Sequence, residues 1–267
     1  GGLRAPSSDA RDVADLADLD GIVPALADSL ASTGAVGSEL GSLPLLSPIL
    51  RPGRVIGVGL NYRSHADEQG AKIPAQPILF AKWSDSVVGP GATVALPYPG
   101  AQVDYECEVA VVIGRGGRDI ARERALEHVF GVTALNDLSD RRSQLAERQW
   151  TRAKSFDGFT PMGPSVVTLD DIPDVGRIAL STTLNGERVQ DGDTSDLIFD
   201  IPTLVAFASQ GTTLRPGDVI ATGTPSGVGF VRQPPVYLAP GDVVTVTVEH
   251  VGDLTTTIGP VPHGVAR

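Results

Sequence analysis

Between Val103 and Gly114 the chain reads VDYECEVAVVIG, and this stretch constrains the fold more than any other. Asp104, Glu106 and Glu108 recur at every second position, so an extended backbone projects them from one face. Ala110 and Val112 continue that face, while Tyr105, Cys107, Val109 and Val111 fill the other. Both faces turn apolar downstream, the mark of a strand that enters a core. Taken alone, the acidic end reads more often as a solvated sheet face, because Asp and Glu are usually exposed. Enclosed at the mouth of a cavity, the same carboxylates repel by several kcal/mol once the effective dielectric falls toward about 20. A cation among them then becomes a requirement.

The rest of the chain supports a strand-rich core. β-type segments fall at 54–60, 78–82, 93–96, 103–113, 130–135, 177–184, 218–222 and 243–258, with helical candidates at 121–129, 138–150 and 201–210. Strands outnumber helices and do not alternate with them regularly, which predicts an α+β, mainly β fold with mixed or antiparallel sheets and helices packed outside. Residues 1–50, rich in Ala, Asp, Ser, Leu and Gly, form a small N-terminal region. The Pro-Gly turn of LRPGRVIGVGLNY opens the main domain, so the expected boundary lies near residue 51 and the main domain covers 51–267.

Composition excludes several classes. Lys plus Arg number 21 against 32 Asp plus Glu, a net charge of −11, which repels nucleic acid and anionic membranes. No apolar run approaches the roughly eighteen residues of a membrane span, and the start lacks a signal-peptide pattern. The single cysteine, Cys107, excludes an internal disulfide and a Cys-cluster metal site and fits a reducing cytoplasm. On the strand face opposite the glutamates, Cys107 reads as a small core residue rather than a nucleophile. GTPSGVG (223–229) lacks the Lys-Ser/Thr of a phosphate loop, and GxGxxG, GxSxG and HExxH are absent.

Chemistry-bearing residues occur in three further segments. In LNDLSDRRSQ (135–144), Asp137 stands where a β run ends and a helix can begin; it is either a site residue or, with Ser139, a helix cap. Arg141 and Gln144 follow one turn further on. In NYRSHADEQG (61–70), His65 and Glu68 are three apart, so the carboxylate can orient the imidazole on a helical turn. Lys154 lies beside Phe156 in RAKSFDGFTPMGP, where an ammonium can face an anion. Carboxylate ligands without thiolates or clustered imidazoles suit a hard cation such as Mg²⁺, Mn²⁺ or Ca²⁺.

Together GLNYRSHADE, DYECE, NDLSDRRSQ, KSFDGFTPMGP, NGERVQ and PGDVIATGTPSGVG, in this order over residues 54 to about 258, resemble the fumarylacetoacetate hydrolase family. The resemblance implies a mixed β-sandwich or β-roll with flanking helices, commonly homodimeric. It further implies Mg²⁺ or Mn²⁺ held by Glu106, Glu108 and Asp137, a proton-transferring pair in His65 and Glu68, and charge stabilisation by Lys154. Arg141, Gln144 and Thr224 would stand near the substrate, with Tyr62 and the Gly223–Gly229 loop shaping the pocket, Asp104 behind the ligands and 69–77 as a lid. Some small relatives place Arg just before the NY pair. Here that position is Leu60, so the remote end of the substrate is either more apolar or held by Arg63 or Arg141. The first expectation is a divalent-metal-dependent hydrolase that cleaves a C–C bond of a β-diketo acid of the acylpyruvate or fumarylpyruvate type through an enolate. The alternative is a decarboxylase or isomerase of a 2-oxo dicarboxylate, of the oxaloacetate or 2-hydroxyhepta-2,4-diene-1,7-dioate type. A non-catalytic binding protein would lack one of the chemical residues, and none is missing. The expected partner is thus a small 2-oxo or β-diketo acid in the cytoplasm, with no nucleic acid and no membrane.

Overall fold

The computed structural model describes residues 45–262 and 264. Most of the N-terminal region set off at 1–50 therefore lies outside the described residues. Of its end, Ile49 is fully buried against Val55, Ala110 and Met162.

In chain order the first strands are β1 (Val55–Gly59), β2 (Ile78–Lys82), β3 (Val87–Val88), β4 (Thr93–Ala95), β5 (Val103–Asp104), β6 (Cys107–Ile113), β7 (Gly117–Arg118) and β8 (Val129–Asn136). There follow β9 (Ser139–Asp140), β10 (Thr160–Thr168), β11 (Ala179–Leu184), β12 (Glu187–Asp193), β13 (Thr213–Leu214), β14 (Val219–Ala221), β15 (Val243–Val248) and β16 (Gly252–Gly259). The α-helices among the described residues are α1 (Arg63–Glu68), α2 (Arg141–Ala146) and α3 (Ile201–Ser209). One sheet runs β2-β1-β14-β6-β8-β10-β3 and a second runs β12-β11-β15-β16-β4. Parallel pairs, β1 with β14 and β3 with β10, interrupt an otherwise antiparallel first sheet. The fold is thus α+β and mainly β.

Every residue of β6 is buried, as its double apolar face predicts. Val109, Val111 and Ile113 pack toward Leu180, Val246, Val248 and Leu254 of the second sheet and toward Leu204 and Val205 of α3. Ala110 and Val112 pack on the opposite face with Val55, Leu135 and Val219. Each large aliphatic so enclosed contributes roughly 1.5–3 kcal/mol of transfer free energy. The β15–β16 pair alternates as a sheet with one covered face must: Val244, Val246 and Val248 are inside and the residues between them are less buried.

The structure departs from the sequence expectations where local pattern and context diverge. The strand expected over 103–113 breaks at Tyr105 and Glu106, so β5 pairs with β9 while β6 joins the large sheet. Residues 122–128 wind as a 3₁₀ segment, and the helix expected over 138–150 shrinks to α2. Its cap is Asp140, whose side chain accepts the Ser143 N–H at 3.2 Å, rather than Asp137 or Ser139. β10 was hidden by Pro161 and Pro164. Prolines are tolerated there because the β8–β10 register shifts between Gly163 and Val167 and Pro161 pairs only with the two-residue β3.

Candidate metal centre and active site

The β6–β8 register assembles the acidic group. Cys107 pairs with Asn136, so the residue after β8, Asp137, falls beside Glu106, and the Asp137 N–H donates to the Glu106 carbonyl at 2.9 Å. The Asn136 side chain accepts the Glu106 N–H at 3.1 Å, which holds the strand break open. Glu106, Glu108 and Asp137 each present a carboxylate oxygen within 4.8 Å of the others, and all three are buried. Asp104, the first acid of the DYECE motif and expected on the same face, turns away from this group. It accepts Arg141 Nε at 2.9 Å and the N–H groups of Gly229 and Phe230 at 2.8 and 3.1 Å.

Buried cations surround the acids. Lys154 Nζ donates to Glu106 Oε2 at 2.8 Å, Asp137 Oδ2 at 2.7 Å and Ser139 Oγ at 2.7 Å. Lys82 Nζ donates to Asp137 Oδ1 at 2.6 Å, to the Phe159 carbonyl at 3.1 Å and to the Lys154 carbonyl. Arg141 places Nη2 2.6 Å from Glu106 Oε1, gives Nη1 to Gln144 Oε1 at 2.8 Å, and stacks on Phe230 with its guanidinium 4.4 Å from the ring centroid. Lys82 escaped the sequence analysis. Its one signal is a lysine two residues from Phe80, on the buried face of the strand ILFAK.

Titration follows this wiring. Burial works to raise the Glu106 carboxyl, but Lys154 and Arg141 outweigh it and hold the group well below the usual range. Glu108 is pushed well above that range, first by burial and then by Asp137 and Glu106. Its hydrogen-bonded partner is the Gly223 N–H at 2.8 Å, and it has no ion pair among the described residues. Burial lowers Lys82, with Asp137 opposing, whereas at Lys154 the attraction of Asp137 and Glu106 overrides burial and the amine is raised. The three buried cations (82, 141, 154) thus pair with Asp104, Glu106 and Asp137 and leave Glu108 unpaired among the described residues. An all-oxygen donor set with one carboxylate in excess fits a hard divalent ion.

In the same cavity lining as Glu106 and Glu108, His65 Nδ1 lies 2.6 Å from Glu68 Oε1, and His65 Nε2 lies 2.7 Å from the Gln69 side-chain amide. Glu68 Oε2 also accepts the Gly227 N–H at 2.8 Å. The cavity is about 350 Å³ and is bounded by His65, Glu106, Glu108, Arg141, Gln144, Lys154 and Thr224 together with apolar side chains. The Thr224 hydroxyl accepts Gln190 Nε2 at 2.8 Å. Tyr62 sits in the core beside Val58 and Cys107, away from the cavity wall, and Arg63 is exposed outside it. Cys107 is fully buried, and burial above all pushes its thiol up to about 12.

A β-rich scaffold that gathers an acidic triad, two buried lysines and a His–Glu pair defines an enzyme. The chain belongs to the fumarylacetoacetate (FAA) hydrolase family, whose C-terminal domain profile matches residues 54–259. It is 43% identical over 225 residues to human "Oxaloacetate tautomerase FAHD2A, mitochondrial", covering 82% of this chain and 72% of that protein. The Xenopus laevis "Oxaloacetate tautomerase fahd2, mitochondrial" is 41% identical over 219 residues, with 81% and 69% covered. Among solved structures, 5-carboxymethyl-2-hydroxymuconate delta-isomerase from Mycobacterium smegmatis superposes with a TM-score of 0.75 at 41% identity, covering 84% of this chain and 85% of that one. For 2-hydroxyhepta-2,4-diene-1,7-dioate isomerase from Mycobacterium marinum the TM-score is 0.74 at 37% identity, with 85% and 81% covered. Among the described residues no helix is long and apolar enough to cross a membrane.

Proposed function

We propose that this enzyme moves a proton within a 2-oxo acid, as a keto–enol tautomerase or an isomerase, with Glu106, Glu108 and Asp137 holding Mg²⁺ or Mn²⁺. This reverses the order of the sequence expectations, which put C–C hydrolysis first. The reversal is supported by relatives named for tautomerisation and isomerisation. The observation that carries the reading is that His65, held by Glu68, lines the same cavity as Glu106 and Glu108 of the acidic triad.

With Nδ1–H donating to the Glu68 carboxylate, the imidazole lone pair lies on Nε2, where it accepts the Gln69 side-chain amide at 2.7 Å, and an entering substrate displaces that amide to reach it. His65 takes a proton from the carbon beside the 2-oxo group and returns it at the alternative position. A divalent ion at the triad supplies a Lewis acid for the carboxylate and 2-oxo oxygens when bound. Lys154, fixed between Glu106 and Asp137, adds positive charge where the enolate oxygen develops. Arg141 and Gln144 orient the substrate carboxylate. Hydrolysis remains the second reading, favoured by the same His65–Glu68 pair acting on water. The homodimer and the cytoplasmic location are part of this proposal; the first is supported by β2, which is an edge strand among the described residues, with Leu79 in it and Trp83 just after it exposed.

Exchange of the C3 protons of a 2-oxo acid in D₂O with Mn²⁺, followed by NMR, tests the reading. We expect fast exchange in the wild type and a loss of about 100-fold or more in His65→Ala. Release of two acids from an acylpyruvate without catalysed exchange would put hydrolysis back in first place.

A further inference from the structure

The cavity that Glu106 and Glu108 line also has an aromatic wall. Lys154 Nζ stands 5.0 Å from the centroid of the Phe80 ring, and Phe80 meets Trp150 edge-on at 5.7 Å. Trp150 lies against Gly59 so closely that a Cβ there would come within 2.5 Å of the indole, so the absence of a side chain at 59 is what admits the ring. Leu60, with φ of 51°, and the 76% exposed Leu145 join the same lining. Among the described residues, the permanent cations that line the cavity are Lys154 and Arg141, and both are engaged beside the triad. Arg63, one of the sequence-level candidates for the remote end, lies outside the lining and is exposed. A substrate anchored at the triad by its carboxylate and 2-oxo oxygens therefore extends its other end over apolar surface. A second carboxylate there would lose water and meet no unpaired cation among the described lining residues.

We propose that the substrate is a 2-oxo acid whose remote group is uncharged and apolar, aryl or alkyl, seated on Phe80 and Trp150. The proposal rests on the proposed function for the anchoring of the 2-oxo acid head, and departs from it at the tail: the oxaloacetate and dienedioate of the relatives' names carry a second carboxylate. The wall gives an apolar tail contact area and a stacking surface.

Calorimetric titration of the Mn²⁺-loaded full chain tests it with three probes: oxalate, 4-phenyl-2-oxobutanoate and 2-oxoglutarate. The expected result is that the phenyl acid binds at least about tenfold more tightly than 2-oxoglutarate. Trp150→Ala should shrink that ratio, and Leu145→Arg, at an exposed position that leaves the core intact, should shrink or reverse it. Equal or tighter binding of 2-oxoglutarate by the wild type, or a ratio unmoved in both variants, overturns the proposal. Failure of oxalate to bind overturns the anchoring and with it the proposed function, whereas oxalate binding without a phenyl advantage overturns the tail assignment alone.

Discussion

Glu108 is the residue on which the site turns. It is buried, it lacks a cation of its own among the described residues, and its carboxyl is held well above the ordinary range. In the metal-free fold Glu108 therefore retains a proton that the unfolded chain releases, and stability should fall as pH rises above the ordinary carboxylate range toward the raised value. Urea midpoints measured across that window should show this decline, with a smaller slope in Glu108→Gln. The amide keeps an acceptor for the Gly223 N–H and cannot ionise, so Glu108→Gln should match wild-type stability without metal at low pH and exceed it once the pH rises toward the raised value. Its Mn²⁺ affinity should nevertheless drop by more than the roughly 10–100-fold that losing an outer partner costs. Lys82→Met is the converse case. It strips Asp137 Oδ1 and two buried carbonyls of their donor, and should cost about 3–5 kcal/mol by urea unfolding. Cys107, enclosed and with its thiol pushed up to about 12, should resist alkylation at pH 8 until urea unfolds the chain.

At the scale of elements, the 223–230 loop ties the site together. Its amides donate to Glu108 from Gly223, to Glu68 from Gly227 and to Asp104 from Gly229 and Phe230. One loop thereby sets the positions of a triad carboxylate, the partner of His65 and the anchor of Arg141. Glycine is required at 227, where φ is +105° and a Cβ would lie 2.2 Å from the Val189 carbonyl oxygen. Gly227→Ala should lower stability by about 1–3 kcal/mol. Because Gly227 holds Glu68 rather than the triad, it should reduce turnover in the exchange assay more than it reduces Mn²⁺ affinity.

For the whole molecule, the two sheets enclose one core along β6 and leave the acidic end of that strand at the cavity. An ion that binds the folded chain alone adds stability by mass action, about 2.7 kcal/mol at a hundred times Kd. Wild-type Tm should therefore rise with Mn²⁺ concentration and that of Glu108→Gln should not, which a thermal melt reads directly. Light scattering after size exclusion would test the homodimer, for which a single-chain mass is the contrary result.

Sequence alone determined whatever depends on short spacing along the chain. The period of two placed Glu106 and Glu108 side by side, although the strand breaks at Glu106 and Asp104 leaves the group, and three residues of separation let Glu68 reach His65 on a single turn. The ordered motifs carried Asp137 and Lys154 into the same reading. Tertiary structure decided the contacts that have no local signature: Lys82 meets Asp137 across 55 positions, and Asp104 meets Gly229 across 125. It also decided that Asp140 rather than Asp137 caps α2, that β10 forms despite its prolines, and that Phe80 and Trp150 share one wall. Such pairings follow from sheet register and loop closure, which sum over the whole chain, so no window of a few residues contains them.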